Sequence, residues 1–232
     1  SGMHTMKKYG ETWRELKKDK IKNLYKFSNQ QSNTSPNDIF KNTFNLFRKF
    51  CIKVQPDLVI LHGDRIETLA CAASCSLNNI KIGHIEGGEL SGTLDEMIRH
   101  SVSKLSNHHF VSNKISKNRL IQMGENKNDI SIIGSPDLDI ALSKNLPNIS
   151  RVKQRYAIKF NNYSILLFHP VFSEVKQVKI QIINLLKASI LSKLNFVIIL
   201  PNNDLGSNII YDEILNVPFN RHQKLFDINI SQ

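Results

Sequence analysis

Several side chains that could transfer protons follow directly after short apolar segments of this chain. Asp64 comes soon after residues 58–61, and Glu86 follows residues 80–85. Asp95 lies a few residues further on, beyond a glycine-rich stretch. Carboxyl groups that are held close together raise one another's pKa, so that one can stay protonated while another acts as a base. The pattern therefore predicts acid–base chemistry.

Two further apolar segments in the second half of the chain also end in polar residues. His169 follows residues 164–168 and precedes Pro170, whose ring disfavours a helical conformation at His169. Asn202 follows residues 196–200. Ligands of open α/β sheets bind at the carboxyl ends of the strands, so we expect a site there. Structural interpretations stay open for these residues: Asp64 could cap the next helix, Asp95 could favour a helix dipole, and His169 could be a core histidine.

The elements that would carry these residues alternate between strand and helix. Strands are predicted over residues 58–61, 80–85, 110–111, 130–133, 164–168 and 196–200. Helices are predicted from Ser35 as N-cap, from Thr93 with a capping box to Glu96, over 114–123 and over 173–193. This alternation indicates an α/β fold built from parallel units. We expect a Rossmann-like domain over 1–142, a linker over 143–163, and a partial second Rossmann-like domain over 164–232.

Composition narrows the class of protein. The chain has 232 residues, of which 41% are hydrophobic and 22% charged, as in ordinary soluble globular proteins. No apolar run approaches the roughly 20 residues that span a bilayer, and no signal peptide is visible, so we expect a cytoplasmic protein without a membrane partner. The net charge of +11 could indicate nucleic-acid binding, but the lysines are dispersed and we expect no nucleic-acid partner. Phosphate-loop, dinucleotide and zinc motifs are absent from the sequence.

Three sequence motifs resemble those of a known family. They are His62-Gly63-Asp64-Arg65, Gly83-His84-Ile85-Glu86-Gly87-Gly88-Glu89, and Ser91-Gly92-Thr93-Leu94-Asp95-Glu96-Met97-Ile98-Arg99-His100. Together with Gly134-Ser135-Pro136, His169-Pro170 and Pro201-Asn202-Asn203-Asp204-Leu205-Gly206-Ser207, they resemble the hydrolysing UDP-N-acetylglucosamine 2-epimerases of bacterial sialic-acid and legionaminic-acid synthesis. The resemblance extends from the first residues to about Glu213.

The resemblance implies a GT-B-like fold, in which a UDP-sugar binds in a cleft between two Rossmann-like domains, with no metal and no redox cofactor. It implies conversion of UDP-N-acetylglucosamine, or of a UDP-diacetamido-trideoxy sugar, to the free manno-configured sugar and UDP. The catalytic residues that it implies are Asp64, Glu86, Asp95 and His169. The substrate-binding residues that it implies are His4, Arg65, Glu89, Asn202, Asp204 and Ser207. A homo-oligomer is expected for the full-length protein.

The sequence departs from the family at both ends. The family's first strand and helix are missing before Ser1, and its uracil-binding part is missing after the tail, so we expect an incomplete GT-B-like protein. A lost central strand would expose backbone edges and apolar surface, and we expect this chain alone to be inactive or poorly stable. Three alternatives stay open: a GT-B glycosyltransferase, an inactive fragment of the epimerase, and a non-catalytic nucleic-acid-binding or scaffold protein.

Overall fold

A computed structural model of the protein describes residues 1–31, residues 34–217 and the backbone of residues 223–226. The chain forms two compact units. The first unit contains Gly2 and Phe27–Leu146, and the second contains Ser1, Met3–Lys26 and the residues from Pro147 onward. This division differs from the sequence prediction in assigning Met3–Lys26 to the second unit. That the two units are separate folding domains stays a prediction.

The helices and strands alternate along the chain. The α-helices are α1 (Trp13–Lys18), α2 (Pro36–Val54), α3 (Ile66–Leu77), α4 (Leu94–Lys104), α5 (Lys114–Gln122), α6 (Pro136–Ala141), α7 (Ile149–Arg155), α8 (Val178–Leu191) and α9 (Ser207–Asn216). The strands are β1 (Leu58–His62), β2 (Lys81–Ile85), β3 (His108–Val111), β4 (Ile130–Ile132), β5 (Ser164–Leu167), β6 (Phe196–Ile199) and β7 (Gln223–Phe226).

The first unit contains a parallel sheet with the strand order β1-β2-β3-β4. Helix α2 begins where the sequence predicts, because the Ser35 hydroxyl accepts a hydrogen bond from the Asp38 amide at 3.2 Å and Pro36 occupies the first helical position. The core lies between the sheet and its helices and consists of Leu61, Ala72, Cys75, Ile82, Ile98 and Val102. The register pairs His62 with Ile85, so β1 and β2 end at the same edge of the sheet.

The second unit repeats this arrangement with the parallel order β5-β6-β7. Leu167 pairs with Ile199, so the segments after β5 and β6 also leave the sheet at one edge. Helices α8 and α9 cover the sheet through Val178, Ile182, Leu186, Ile210 and Ile214. The parallel α/β architecture is therefore confirmed in both units.

Some boundaries differ from the sequence prediction. The long helix predicted from Ser173 begins only at Val178, after a short 3₁₀ helix, Phe172–Glu174. The predicted linker contains α7, and β7 lies in a tail for which no strand was predicted. At α4, the Thr93 side chain forms no cap hydrogen bond, while Glu96 Oε2 accepts hydrogen bonds from the amides of Ser91 at 2.6 Å and Gly92 at 2.7 Å. The acid of the predicted capping box thus holds the preceding turn instead.

The helices of the described residues are all too short or too polar to cross a lipid bilayer.

Candidate active site

The first unit brings Asp64 and Glu86 to the carboxyl edge of its sheet. Asp64 lies two residues beyond β1, and Glu86 lies one residue beyond β2. Because β1 and β2 are paired neighbours, both carboxylates belong to the same edge. This part of the sequence prediction agrees with the geometry.

Glu86 is held by contacts on both of its carboxylate oxygens. Oε2 lies 2.7 Å from His62 Nε2, and Oε1 accepts a hydrogen bond from the Ser135 hydroxyl at 2.8 Å. Its backbone has a φ of 64°, and its amide donates to the Phe110 carbonyl at 2.9 Å. A left-handed conformation is unusual for glutamate and requires support from neighbouring structure of this kind.

Burial by itself would raise the pKa of Glu86. The hydrogen bonds from His62 and Ser135 outweigh that effect, with help from electrostatic attraction by His62 and Arg99, and the pKa lies below its ordinary value. The expectation that neighbouring acids raise each other's pKa is therefore wrong for Glu86. This carboxylate is ionised at neutral pH and has the charge state of a proton acceptor.

Asp64 forms an ion pair with Arg99, a buried residue of α4. The same guanidinium donates to the backbone carbonyl of Glu89 at 2.9 Å. Arg99 therefore connects the turn after β1 with the loop after β2. Because the Asp64 side chain is 28% exposed, one side of the carboxylate still faces solvent. The interpretation of Asp64 as a helix cap has no support, since the N-cap residue of α3 is Arg65.

A completely buried histidine fixes the turn that carries Asp64. His84 Nε2 lies 2.9 Å from the Gly63 carbonyl, and Nδ1 lies 3.0 Å from the Ser103 hydroxyl. The carbonyl can only accept, so Nε2 carries a proton and donates to it. Burial lowers the pKa of His84 from 6.5 to about 4, so the ring is neutral at pH 7. His84 therefore holds the turn before Asp64 as a neutral hydrogen-bond donor.

The other predicted residues of this unit, Arg65, Glu89 and Asp95, each have contacts of their own. Glu89 accepts a hydrogen bond from the Ser112 hydroxyl, and the Arg65 guanidinium lies 4.0 Å from Glu67. Asp95 occupies the first turn of α4, four residues before Arg99, and its carboxylate lies 3.5 Å from the Thr93 hydroxyl. Its position in the first turn also agrees with the structural interpretation, in which it favours the helix dipole.

The second unit carries the remaining predicted residues. His169 is exposed and follows β5, and Asn202 follows β6 at the neighbouring position of the edge. The Asn202 side chain accepts a hydrogen bond from the Asp204 amide at 3.0 Å, and Ser207 begins α9. His4 lies within 2.6 Å of the Thr12 hydroxyl. That these residues meet Asp64, Glu86 and Asp95 around one sugar stays a prediction.

Sequence reasoning assigned no role to four residues that organise the first unit's site. They are His62, His84, Arg99 and Ser135. All four stand inside the quoted motifs, and this was the only signal that could have identified them. His62 and Ser135 contact Glu86 across 24 and 49 residues of sequence, and His84 contacts Gly63 across 21. No local sequence pattern reveals pairs that are so far apart.

Within residues 1–31 and 34–217, no group of three or more His, Cys, Asp or Glu side chains is placed to hold a metal ion.

Comparison with known proteins identifies the family. The model of the UDP-N-acetylglucosamine 2-epimerase family matches residues 1–227. The chain belongs to the UDP-N-acetylglucosamine 2-epimerase family. It is 44% identical over 215 residues to the UDP-N-acetylglucosamine 2-epimerase of Neisseria meningitidis serogroup B, a match that covers 93% of this chain and 57% of that protein. The chain therefore spans little more than half the length of this relative.

A second relative has a more specific name. The chain is 36% identical over 219 residues to the UDP-N,N'-diacetylbacillosamine 2-epimerase (hydrolyzing) of Legionella pneumophila, covering 92% of this chain and 58% of that protein. This epimerase family therefore includes hydrolysing members close to this chain.

Solved structures show the same fold. The epimerase of Neisseria meningitidis bound to UDP-GlcNAc superposes with a TM-score of 0.70 at 24% identity, covering 92% of this chain and 60% of that chain. The Methanocaldococcus jannaschii epimerase in complex with UDP-GlcNAc and UDP gives 0.71 at 17% identity, covering 91% and 60%. These matches confirm that this chain has the α/β, GT-B-like fold class.

Proposed function

We propose that this chain carries the chemistry of a hydrolysing 2-epimerase, which converts a UDP-2-acetamido sugar and water to the free manno-configured sugar and UDP. UDP-N-acetylglucosamine or a UDP-diacetamido-trideoxy sugar is the proposed substrate. The proposal depends above all on the position and charge of the Glu86 carboxylate. It lies at the end of a buried strand, is ionised by its contacts with His62 and Ser135, and stands at the same sheet edge as the Asp64–Arg99 pair.

The first step removes a proton that is barely acidic. The hydrogen at C2 of the sugar is not next to a carbonyl, and it becomes removable only as the C1–O bond to UDP breaks and C1 gains positive charge. A carboxylate takes the proton, the C2–H electrons form a C1=C2 double bond, and the C1–O electrons leave with UDP. We assign Glu86 to this base, because its lowered pKa keeps it unprotonated.

The second step adds water to the double bond. The oxygen of the water adds to C1 and its proton passes to one carboxylate, while a second carboxyl group, protonated from solvent, delivers a proton to the opposite face of C2, which gives the manno configuration. Asp64 and Asp95 are the proposed pair. Asp64 is suited to accept the proton of the water, because its ion pair with Arg99 leaves one side of the carboxylate exposed. Positioned acids and bases typically contribute about 10²–10⁴-fold in rate.

Residues of the second unit would bind the nucleotide part. We propose that His169 contacts the diphosphate and stabilises it as it leaves, and that Asn202, Asp204 and Ser207 position the nucleotide-sugar. Arg65, Glu89 and His4 are proposed to contact the sugar. His169 is exposed at the carboxyl end of β5, where a ligand can reach it.

The proposal is tested by following UDP-N-acetylglucosamine in D₂O by NMR. A hydrolysing epimerase releases UDP and free N-acetylmannosamine that carries deuterium at C2. A sugar that stays attached to UDP after epimerisation would contradict the hydrolytic step. Transfer of the sugar to an added acceptor, without deuterium at C2, would instead identify a glycosyltransferase.

The same assay is performed on a chimera, because the chain spans 57% of its Neisseria relative. In the chimera, residues 1–227 replace the matching segment of that relative. An active chimera that loses activity on Glu86→Gln, but not on the exposed Glu174→Gln, would assign the chemistry to this chain's own residues. A chimera that folds and releases no N-acetylmannosamine would refute the proposal.

A further inference from the structure

Helix α6 of the first unit has an apolar surface that the described part of the chain leaves uncovered. None of its six residues is buried. Leu138, Ile140 and the C-cap residue Leu142 expose large apolar side chains, as do Ile132 and Ile133 before the helix, and Leu142 is 79% exposed. A helix of this length is marginal in water by itself, because helices in proteins are stabilised mainly by packing an apolar face. The surface therefore indicates a binding partner.

The charge on α6 favours a basic partner. Asp137 and Asp139 are exposed, and within the described residues neither carboxylate has a cationic partner. The helix dipole favours acids in the first turn, but it gives no benefit to exposed leucine and isoleucine side chains. Two α6 helices facing each other would bring their carboxylates together, which disfavours contact of α6 with itself. The partner should instead present apolar side chains among positive charges.

The last turns of helix α2 present a surface of this kind. Arg48, Lys49 and Lys53 are exposed, and none of them has an acidic partner in the part of the chain that the structure describes. Ile52 and Val54 lie beside them and are also exposed. Helices α2 and α6 both belong to the first unit. This unit therefore has one acidic and one basic apolar surface, which are complementary in charge.

These two surfaces lie at opposite ends of the first sheet. Helix α2 leads into β1 and α6 follows β4, and β1 and β4 are the outer strands of this sheet. Within one copy the two surfaces do not cover each other, and both stay exposed. A contact between unlike surfaces of two copies is heterologous, so repeating it gives a ring or an open chain of copies.

We propose that the end of α2 in one copy binds α6 of a second copy. The exposed apolar side chains would pack at the centre of this contact, and the lysine and aspartate charges would pair around them. A second copy is favoured because the chain is itself basic, with a net charge of +11, so that its acidic surface attracts further copies where the rest of the surface repels them. The contact is independent of the proposed hydrolysis and is measured without substrate.

Sedimentation velocity of the 232-residue chain over a range of concentrations tests this contact. We expect the mean sedimentation coefficient to rise with concentration, and to rise less at high salt, which screens the charges. Lys49→Glu/Lys53→Glu and Asp137→Lys/Asp139→Lys should each weaken self-association by at least about tenfold, because like charges then face each other. Leu142→Ser should also weaken it, without a change of charge.

A mixture of the two charge-reversed variants gives the most specific result. Each variant alone has like charges on its α2 and α6 surfaces, whereas in the mixture the α2 surface of either variant meets an oppositely charged α6 surface. The mixture should therefore associate about as strongly as the parent chain. Lys187→Glu/Lys193→Glu is the matched control, since it makes the same change of charge beside the exposed Leu191 and should leave self-association unchanged.

Thermal unfolding of each variant distinguishes a lost contact from lost structure. Because the substituted side chains are exposed, every Tm should stay close to that of the parent chain. A chain that stays monomeric at all concentrations would overturn the proposal, as would charge-reversed variants that do not associate when mixed. Self-association that both reversals leave unchanged would assign the contact to another apolar face, such as Leu58 and Ile60 of β1, and would also overturn it.

Discussion

Protonation of His84 should destabilise the first unit as the pH falls below neutral. The imidazole is completely buried, and burial lowers its pKa in the folded protein to about 4, against 6.5 in an unfolded chain. The unfolded state therefore binds more protons than the folded state between these two values. Stability rises with pH across this window and is lost as the pH falls through it.

The size of the effect follows from the two pKa values. At pH 7 both states are largely neutral, whereas at pH 5 the unfolded state is mostly protonated and the folded state is not. The free energy of unfolding should thus lose about 2 kcal/mol of His84 contribution between pH 7 and pH 5. Over the whole window the difference approaches roughly 3 kcal/mol, which is a large part of the stability of a typical domain.

The measurement compares urea unfolding at pH 7 and pH 5 for the parent chain and for His84→Gln. Glutamine can still donate to the Gly63 carbonyl but does not titrate, so the variant should lose less stability between the two pH values. His108→Gln is the matched control, because His108 lies on the neighbouring strand with a side chain that is 45% exposed. Its pH dependence should stay close to that of the parent.

The imidazole can also be observed directly. The His84 ring should stay neutral in NMR spectra down to about pH 5, with the proton on Nε2, which donates to Gly63. A folded-state titration of His84 near 6.5, or equal pH dependence of parent and His84→Gln, would refute the argument from burial.

Three further predictions concern Glu86, Asp64 and the glycine-containing loop after β2. Glu86→Gln should lower epimerase turnover of the chimera by about 10²–10⁴-fold, measured as UDP release, while leaving the Tm nearly unchanged. Asp64→Asn should destabilise the chain by about 2–3 kcal/mol in urea unfolding, because Arg99 is buried and loses its ionised partner; an unchanged midpoint would count against this. Gly88→Ala should destabilise the chain by at least about 2 kcal/mol, and Gly92→Ala by about 1 kcal/mol. Both glycines have a positive φ, but a Cβ on Gly88 would lie 2.5 Å from the Ser116 carbonyl oxygen, whereas a Cβ on Gly92 meets nothing within 4 Å. Equal losses would show that backbone strain alone decides.

The strands and the edge at which the site lies could be predicted from the sequence. Short apolar runs ended at polar residues, and parallel strands place their carboxyl ends together, so Asp64 and Glu86 were expected at one edge before any coordinates. Motif resemblance supplied the family. The strand positions and the family motifs could be predicted because each depends on residues that are close together in the sequence.

Contacts between distant residues could not be predicted in this way. Ser135 reaches Glu86 across 49 residues, and Arg99 reaches Asp64 across 35. Composition and spacing contain no information on which pairs the fold brings together. The helix predicted from Ser173 was too long for a related reason, since the 3₁₀ segment Phe172–Glu174 is separated from α8 by a local turn that the apolar pattern does not show.

The ionisation state of the site is therefore a tertiary property, although the positions of its residues are a local one. Glu86 would be expected to have a raised pKa from its burial alone, and His62 and Ser135 reverse the direction. His84 shows the opposite balance, because burial lowers its pKa by more than the hydrogen bond to the Gly63 carbonyl raises it. The carboxylate of Glu86 is thus kept charged, and the imidazole of His84, two residues earlier in the chain, is kept neutral. The proposed mechanism uses the charged Glu86 as its base, while the neutral His84 holds the Gly63 carbonyl without adding a positive charge beside Asp64.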